Sequence, residues 1–396
     1  MKTTRWLFAL QLVAMGAMEM SGPFWPLHLR RVGELSPSAL AWASAIAYAG
    51  PMAMAMCTTP WWGRLGDRVG HKPMLLRALL ALAATQWGIA ATDSVAVILA
   101  VRLLQGALAG YIAAAQAYGA RLVSRDARGA LMAQLQAATA IGSAAGPVLG
   151  GWLFDAWGFT AVNVLAGAAC LLCAALAAAV LPPVAPPAAA RAADAQPRSA
   201  AQGDTVRGLL LGIVLVQAGK MMPQTFFGLY AAEVLHVSSR MTGLCYAGTA
   251  LGLCLAAPFW ARRFARMAHA QVLVQVERIC WACVAIVAVQ ALTTNVGLFL
   301  LARVLWGVCL AALLPVFYGL LARAAADDEQ GRVLGAGNGA AKAGALLGAG
   351  AGGLALAWVP LSAMFWTVAL LYAVAAAGMR LLHFQHLQTQ TTTGIS

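Results

Sequence analysis

Ionisable side chains inside long apolar tracts are the residues of this sequence best suited to chemistry. Glu19 lies in an apolar tract near the N-terminus, and Lys220 occupies the corresponding place in a later tract, 201 positions on. A carboxyl group in a low-dielectric cavity resists ionisation, so it is well placed to take up and release a proton. Glu19 is therefore a candidate proton carrier. A structural ion pair between Glu19 and Lys220 is the alternative, and the two roles are compatible.

Three cations, Lys220, Arg303 and Lys342, lie within the later apolar tracts and outnumber Glu19. A charge within a membrane span is costly and usually faces protein or water. If the three face one cavity, its net charge is positive, which favours anionic or oxygen-rich ligands over lipophilic cations. For Arg303 and Lys342 the alternative is that the side chain extends to the nearest membrane surface.

Aromatic residues collect in the same apolar tracts and could form the wall of a binding cavity. For those near the ends of tracts, the alternative is the belt of Trp and Tyr that marks a membrane surface. The candidate substrate-binding aromatics are Phe24, Trp25, Tyr48, Phe226, Phe227 and Tyr230.

Enzyme and metal chemistry find no support in the sequence. It has no G-x-S-x-G or H-E-x-x-H motif and no phosphate-binding loop, and its six histidines lie at or outside the ends of apolar tracts. Two cysteine pairs have C-x-x-C spacing, Cys170 with Cys173 and Cys280 with Cys283, but both lack the polar neighbours of a metal site. We expect no enzyme activity, no metal and no cofactor.

The elements that must position these residues are membrane-spanning helices. Apolar residues make up 62% of the 396 positions and charged residues 10%, with a mean hydropathy of +0.77. Soluble domains carry about 25% charged residues, so a soluble enzyme, a disordered chain and a disulfide-stapled domain are excluded. Spans of about 20 apolar residues cross a bilayer as helices. Twelve are predicted, at 6–27, 39–62, 74–92, 95–120, 130–154, 159–181, 208–231, 241–261, 271–291, 296–321, 333–356 and 358–380.

The positive charges predict the orientation of these spans. The net charge of +13 comes from basic loops, with 18 Lys and Arg on one side of the predicted spans and 3 on the other. Basic loops stay in the cytoplasm, so both termini are predicted to be cytoplasmic, and nucleic acid is not an expected partner. Residues 182–207 are polar and rich in proline, and predict a cytoplasmic linker between domains at 1–181 and 208–396.

The two predicted domains repeat each other. The tract from Arg102 to Gly106 recurs at Arg303 to Gly307, 201 positions later. Glycines at 142, 146, 150 and 151 recur at 344, 348, 352 and 353, an offset of 202. A duplicated six-helix unit supports alternating access around a site near the membrane midplane.

The tract Gly63–Lys72, GRLGDRVGHK, follows the second span and contains glycines that permit a tight turn. It resembles the signature loop of the major facilitator superfamily, although His71 replaces a usual basic residue. The resemblance implies a conformational latch formed by Gly63, Asp67, Arg68, Gly70 and Lys72. The second copy has Ala265 in place of the acid, so this latch is expected on one side only.

Two further tracts carry the resemblance into the spans. Arg102-Leu103-Leu104-Gln105-Gly106 resembles the arginine motif of the fourth helix, which implies a role for Arg102 in proton coupling; the alternative is a side chain that extends to a membrane surface. The fifth span resembles the antiporter motif of exporters in this superfamily, although its usual upstream glycine is missing near Ala133. A glycine-rich packing helix is the alternative, and it explains the twin in the eleventh span equally well. The implied antiporter-motif residues are Gly142, Gly146, Pro147, Gly150 and Gly151.

These observations predict an all-α membrane protein of twelve helices in two pseudo-symmetric bundles. It is expected to be a monomeric, proton-coupled exporter driven by the proton motive force, with the lipid bilayer and a small-molecule substrate as its partners. The tract Glu19–Leu29 resembles bacterial exporters encoded with hydroxamate siderophore pathways, which implies such a substrate. A multidrug antiporter and a proton-coupled importer are the alternatives. Arg outnumbers Lys by 22 to 4 and Ala is frequent, which suits GC-rich coding and a bacterial inner membrane.

Overall fold

The computed structural model describes residues 2–108, 110–124, 126–184, 203–324 and 330–392. These residues form fourteen α-helices and three short 3-10 turns, with no strand among them. The helices are α1 Lys2–Glu19, α2 Trp25–Gly33, α3 Pro37–Val69, α4 His71–Ala90, α5 Val95–Leu108, α6 Tyr111–Leu122, α7 Arg128–Val180, α8 Asp204–Met221, α9 Phe227–Glu233, α10 Ser239–Ala265, α11 His269–Leu292, α12 Val296–Ala324, α13 Gln330–Ala355 and α14 Met364–Thr392. The 3-10 turns are Gly22–Phe24, Met222–Thr225 and Leu361–Ala363.

The predicted all-α membrane architecture is confirmed. The described residues contain ten segments long and apolar enough to cross a membrane, against twelve spans expected. Two features account for the difference. The 53-residue α7 contains the fifth and sixth predicted spans, separated at Gly158, where φ is 79°. The eleventh predicted span corresponds to α13, whose many glycines lower its hydropathy, and it is not among the ten.

The first and seventh predicted spans are broken at matching positions. In the first, α1 gives way to the 3-10 turn Gly22–Phe24 before α2 begins, and in the seventh, α8 gives way to Met222–Thr225 before α9. Each turn has a proline in its first two positions, Pro23 and Pro223. Because proline donates no backbone hydrogen bond, it interrupts a helix at this point. Interrupted helices with free backbone groups are typical of transporter binding regions.

The chain forms two compact units. The first comprises Met1–Gln196 and Ala231–Ala247, and the second comprises Pro197–Tyr230 and Gly248–Ser396. Residues 185–202 of the predicted linker lie outside the described residues, and the domain boundaries proposed from the sequence stay a prediction. In the first unit, α1 packs mainly on α7, and in the second, α13 packs on α8 and α14 on α11.

Matching glycines bring helices into backbone contact in both units. A Cβ added at Gly146 of α7 would lie 2.4 Å from the carbonyl oxygen of Gly16 in α1, and one added at Gly348 of α13 would lie 2.3 Å from that of Ala218 in α8. Small residues four apart allow this close approach. Three such contacts of α7 map onto three of α13 by an offset of 202. The glycine–backbone pairs are Gly142 with Leu12, Gly146 with Gly16, Gly150 with Met20, Gly344 with Val214, Gly348 with Ala218 and Gly352 with Met222.

The segment predicted as a loop after the second span is mostly helix. The helix α3 continues to Val69, so Gly63, Asp67 and Arg68 are helical residues. Only Gly70 makes the turn into α4, with φ 101° and ψ 154°. Glycine adopts this positive φ without steric cost, whereas a glycine such as Gly63 is tolerated inside a helix. The prediction of a ten-residue loop was therefore wrong.

Candidate functional site

A cluster of polar side chains surrounds Arg102 in the first unit. The guanidinium Nε and Nη2 of Arg102 on α5 donate to the carbonyl oxygen of Ala47 on α3, at 3.1 and 2.8 Å. Its Nη1 donates to Gln105, whose amide in turn donates to the Thr85 hydroxyl at 3.2 Å. The guanidinium carbon lies 4.7 Å from the centre of the Trp25 ring. The interactions of Arg102 are thus with protein groups among the spans, and its part in proton coupling stays a prediction.

Glu19 and Tyr48 flank the turn between α1 and α2. Glu19 is the last residue of α1 and is half-buried. Its Oε2 lies 3.3 Å from the position that a Cβ at Gly22 would take. The Tyr48 hydroxyl donates to the carbonyl oxygen of Gly22. Glu19, Tyr48 and Trp25 therefore lie around one helix interruption; the part of Glu19 in proton coupling and the part of the two aromatic residues in substrate binding stay predictions.

The second unit repeats the arginine–aromatic contact. Arg303 of α12 is 3% exposed, and its guanidinium carbon lies 4.7 Å from the Phe227 ring and 5.1 Å from the Trp306 ring. The contact of Arg102 with Trp25 has the same 4.7 Å separation, and the two contacts are related by the repeat. Such cation–π contacts stabilise an arginine away from water. Arg303 is thus buried among aromatic rings and does not extend to a membrane surface.

The other two cations predicted for substrate binding lie in different surroundings. Lys220 is the penultimate residue of α8 and is half-buried. Lys342 on α13 is exposed. Glu19 lies in the first unit and Lys220 in the second, so the pairing of these two residues stays a prediction.

The predicted substrate-binding aromatics are packed inside their own units. Phe24 stacks on Phe154 at 5.1 Å, and Trp25 meets Phe159 edge-on at 4.9 Å. In the second unit, Phe226, Phe227 and Tyr230 have 0% exposure and contact the rings of Phe299 and Phe365. Substrate contact with these side chains would require a conformation other than the one described here.

The fifth-span motif has contacts beyond its packing on α1. A Cβ at Gly151 would lie 2.2 Å from the carbonyl oxygen of Ser239, and one at Gly243 would lie 2.2 Å from that of Pro147. One turn beyond Gly151, the Asp155 carboxylate accepts hydrogen bonds from the backbone N–H groups of Ser239 and Arg240, at 3.0 and 2.9 Å. Asp155 therefore caps the first turn of α10. Sequence reasoning did not single it out, although an acid shortly after the motif's last glycine was a signal for it.

The remaining latch residues are spread along the end of α3 and the start of α4. Asp67 and Arg68 are exposed, and His71 Nε2 lies 4.0 Å from Asp67 Oδ1. Lys72 donates to the carbonyl oxygens of Ala178 and Leu181 at the end of α7. Lys72 thus holds two parts of the first unit together, and the latch role of the set stays a prediction.

Comparison with known proteins identifies the family. A model of the Major Facilitator Superfamily matches residues 7–207 and 209–392. The chain belongs to the Major Facilitator Superfamily. The resemblance seen in the tract Gly63–Lys72 is thereby confirmed for nearly the whole chain.

Curated relatives in this superfamily include two kinds of transporter. The staphyloferrin B transporter of Staphylococcus aureus is 25% identical over 383 residues, which cover 94% of this chain and 90% of that protein. Multidrug resistance protein MdtG of Klebsiella pneumoniae is 29% identical over 171 residues, 43% of this chain and 41% of that protein. Multi-drug resistance efflux pump PmrA of Streptococcus pneumoniae is 30% identical over 154 residues, 39% and 38% of the two chains. The chain is thus a transporter of the superfamily.

Solved structures share the fold. A bacterial homologue of the human lysosomal transporter Spinster has a TM-score of 0.78 at 14% identity, covering 96% of each chain. The nucleoside transporter NupG has a TM-score of 0.71 at 12% identity, covering 95% of this chain and 99% of the other. At this level of identity the likeness supports the architecture alone.

Proposed function

We propose that this superfamily member is a proton-coupled exporter of an anionic or oxygen-rich small molecule such as a siderophore, in a bacterial inner membrane with both termini in the cytoplasm. The observation that carries the proposal is the polar cluster at the interruption of the first span. There the half-buried Glu19 ends α1, the Tyr48 hydroxyl donates to Gly22 in the turn that follows, and Trp25 just beyond the turn contacts Arg102. A carboxyl group in such a place changes its charge when its surroundings change.

Export is supported by the part of the fifth-span motif that has no copy in the second unit. The twin glycines of α7 and α13 make the same backbone contacts in both units, so packing explains them. Pro147 has no twin, since Ala349 stands at the matching position. Pro147 and Gly151 contact the start of α10. Pro147, the unduplicated residue of the motif, therefore favours the exporter interpretation, which rests on the superfamily's antiporter motif.

Two observations support this substrate class: the excess of buried positive charge and the length over which the relatives align with this chain. Arg102, Arg303 and Lys220 outnumber Glu19 among the buried and half-buried charges of the broken spans and their neighbours. An excess of positive charge favours anionic ligands. The relative named as a staphyloferrin B transporter aligns over 94% of this chain, whereas MdtG aligns over 43%. A full-length relative is better support for a shared substrate class than a relative of one half.

A multidrug–proton antiporter is the second candidate, because the two multidrug relatives have the higher identity, 29 and 30%, over the part that aligns. Inverted membrane vesicles distinguish the candidates. We would measure proton release on addition of a hydroxamate siderophore or a lipophilic cation, comparing wild type with Glu19→Gln and with the control Glu34→Gln. Glu34 lies just after α2 and follows a basic stretch of that helix.

We expect the siderophore alone to move protons in wild type and in Glu34→Gln, and Glu19→Gln to abolish the signal at unchanged protein level. A signal with the cation alone would favour the multidrug antiporter. A signal that survives in Glu19→Gln would refute the role of Glu19 as proton carrier. Proton movement coupled to substrate uptake into the cytoplasm would refute export.

A further inference from the structure

A basic pocket lies at one end of the second unit. A cavity of about 510 Å³ opens where the end of α10, the first half of α11 and the end of α14 meet. A second cavity, of about 590 Å³, shares Arg263 with the first and adds Arg262 and Arg266. We refer to the two together as the α10–α11–α14 pocket. The polar side chains of the first cavity are Arg263, Gln271, Gln275, Arg278 and His383.

The pocket concentrates positive charge that the fold does not neutralise. Arg262 and Arg263 lie in the last turn of α10 and Arg266 follows its end, and Arg278 faces the same cavity as Arg263 from α11. In the part of the chain that the structure describes, none of these arginines has a carboxylate within 4 Å. The Nδ1 atom of His383 is buried and has no hydrogen-bond partner among the described residues. The pocket therefore offers unused donors to an anion.

In the first unit, the arginine at the matching position makes a cation–π contact. Arg77, which matches Arg278 at an offset of 201, lies over the Trp62 ring at 3.5 Å. In the second unit the matching tryptophan, Trp260, stacks on Phe264 at 5.5 Å instead. Both tryptophans make the same hydrogen bond, Trp62 to Ala107 and Trp260 to Val308. The tryptophan hydrogen bond is thus the same in both repeats, whereas no ring contact of Arg278 is found among the described residues.

Exposed apolar side chains border the pocket. Trp281 lies one turn from Arg278 along α11 and is 46% exposed, and Phe259 precedes Arg262 by one turn and is 57% exposed. On α14, Leu381 and Phe384 flank His383 with 64% and 50% exposure. Aromatic residues next to cations mark the level of lipid headgroups, and basic pockets between spans bind anionic headgroups. A free phosphate ion would bind the arginines but would make no contact with these apolar side chains, whereas the acyl chains of a lipid would.

We propose that the α10–α11–α14 pocket binds the phosphate headgroup of an anionic phospholipid, with Arg263 and Arg278 as its main cations and the acyl chains along Trp281 and Leu381. This site is separate from the polar cluster around Arg102, and it does not depend on which molecule is transported. The arginine-rich end of α10 belongs to the side predicted to be cytoplasmic, where anionic lipids are enriched.

Native mass spectrometry of the purified full-length protein tests the proposal. Detergent-solubilised protein is titrated with phosphatidylglycerol, with phosphatidylcholine or with inorganic phosphate. Three proteins are compared: wild type, Arg263→Gln/Arg278→Gln, and the charge-matched control Arg5→Gln/Arg323→Gln, whose two arginines are exposed and lie outside the pocket. Each cation near a membrane surface changes affinity by a factor of about five. We therefore expect phosphatidylglycerol to bind about thirtyfold more weakly to the pocket variant and normally to the control.

Three outcomes overturn the proposal. Equal losses of phosphatidylglycerol affinity in the pocket variant and in the control would show that binding depends only on net charge. Equal binding of phosphatidylglycerol and phosphatidylcholine to wild type would show that no anionic headgroup is recognised. Displacement of phosphatidylglycerol by inorganic phosphate at similar concentration would assign the pocket to the free ion.

A second measurement applies if the glutamine variant does not fold. Phosphatidylglycerol is expected to raise the unfolding temperature of wild type and of Arg263→Lys/Arg278→Lys more than phosphatidylcholine does. The absence of this difference in wild type refutes the site.

Discussion

Alanine substitution at the twin glycines tests whether the fifth-span motif is a packing device. Gly146 and Gly348 would place a Cβ 2.4 and 2.3 Å from the backbone oxygens of Gly16 and Ala218, whereas ordinary contact begins at 3.4 Å. The helices must therefore separate locally by about 1 Å to admit one methyl group. Gly339 lies in α13 with nothing within 4 Å of an added Cβ, and it is the matched control.

Two effects of opposite sign determine how each alanine substitution changes the free energy of unfolding. Forcing an extra methyl group into a close-packed contact costs about 1–3 kcal/mol of the free energy of unfolding. Replacing glycine by alanine inside a helix returns about 1 kcal/mol. We expect a net loss of up to about 2 kcal/mol for Gly146→Ala and for Gly348→Ala, and a gain of up to about 1 kcal/mol for Gly339→Ala.

Thermal unfolding in detergent, followed by the fluorescence of the thirteen tryptophans, measures these differences at one heating rate. The fixed rate matters because unfolding of such proteins is often irreversible. The midpoints should fall for both twin variants by similar amounts and should not fall for Gly339→Ala. If Gly146→Ala is as stable as Gly339→Ala, the close contact between α7 and α1 is not what this glycine provides.

Transport by the same variants then separates packing from mechanism. If Gly146→Ala and Gly348→Ala lose transport in proportion to stability, both glycines are structural. If Gly146→Ala loses transport while remaining as stable as Gly348→Ala, the motif has a role in the first unit that its twin lacks.

Two further predictions concern single contacts. Asp155→Asn should replace one acceptor by a donor, weaken the cap on α10 by about 1–3 kcal/mol and speed hydrogen exchange at the Ser239 and Arg240 amides by about fivefold or more. The exposed Asp93→Asn is the control, and unchanged exchange in Asp155→Asn would contradict the capping role. Arg102→Lys keeps the charge but cannot span both Ala47 and Gln105, so proton-coupled transport should fall at least tenfold with the protein still folded; full activity would show that charge alone suffices.

Much of the architecture could be predicted because the repeat is visible in the spacing of residues along the chain. The offset that relates Arg102 to Arg303 also relates their aromatic partners to within one residue, and both contacts have a separation of 4.7 Å. The predicted break between the fifth and sixth spans falls at Gly158, which has a positive φ. Chain-local signals such as glycine, proline and charge therefore located the elements and their main interruptions.

Side-chain direction could not be predicted in the same way. Spans such as α12 are apolar on all sides, so periodicity does not show which face is buried. Phe226, Phe227 and Tyr230 were predicted as possible cavity walls, yet all three are fully buried. The extent of α3 was also missed, because glycine and charge together in the tract Gly63–Lys72 are as typical of a turn as of an exposed helix end. The burial of these aromatic side chains and the extent of α3 both depend on neighbours in the folded protein that are distant in the sequence, and a role of the aromatic residues in substrate binding stays a prediction.

The differences between the repeats, more than their similarities, indicate where function lies. Contacts present in both units, such as the glycine–backbone pairs, are explained by folding alone, because each unit needs them to pack. Where a residue differs between the two copies although the residues around it match, packing does not require that residue in both units. Asp67 against Ala265 and Pro147 against Ala349 are such changes, and so is Glu19 near the place matching Lys220. Arg278 is another, since the hydrogen bond of Trp260 matches that of Trp62 while the described residues show no ring contact of Arg278. Substitutions at these unmatched positions should therefore affect transport or lipid binding more than stability, whereas substitutions at matched glycines should do the reverse.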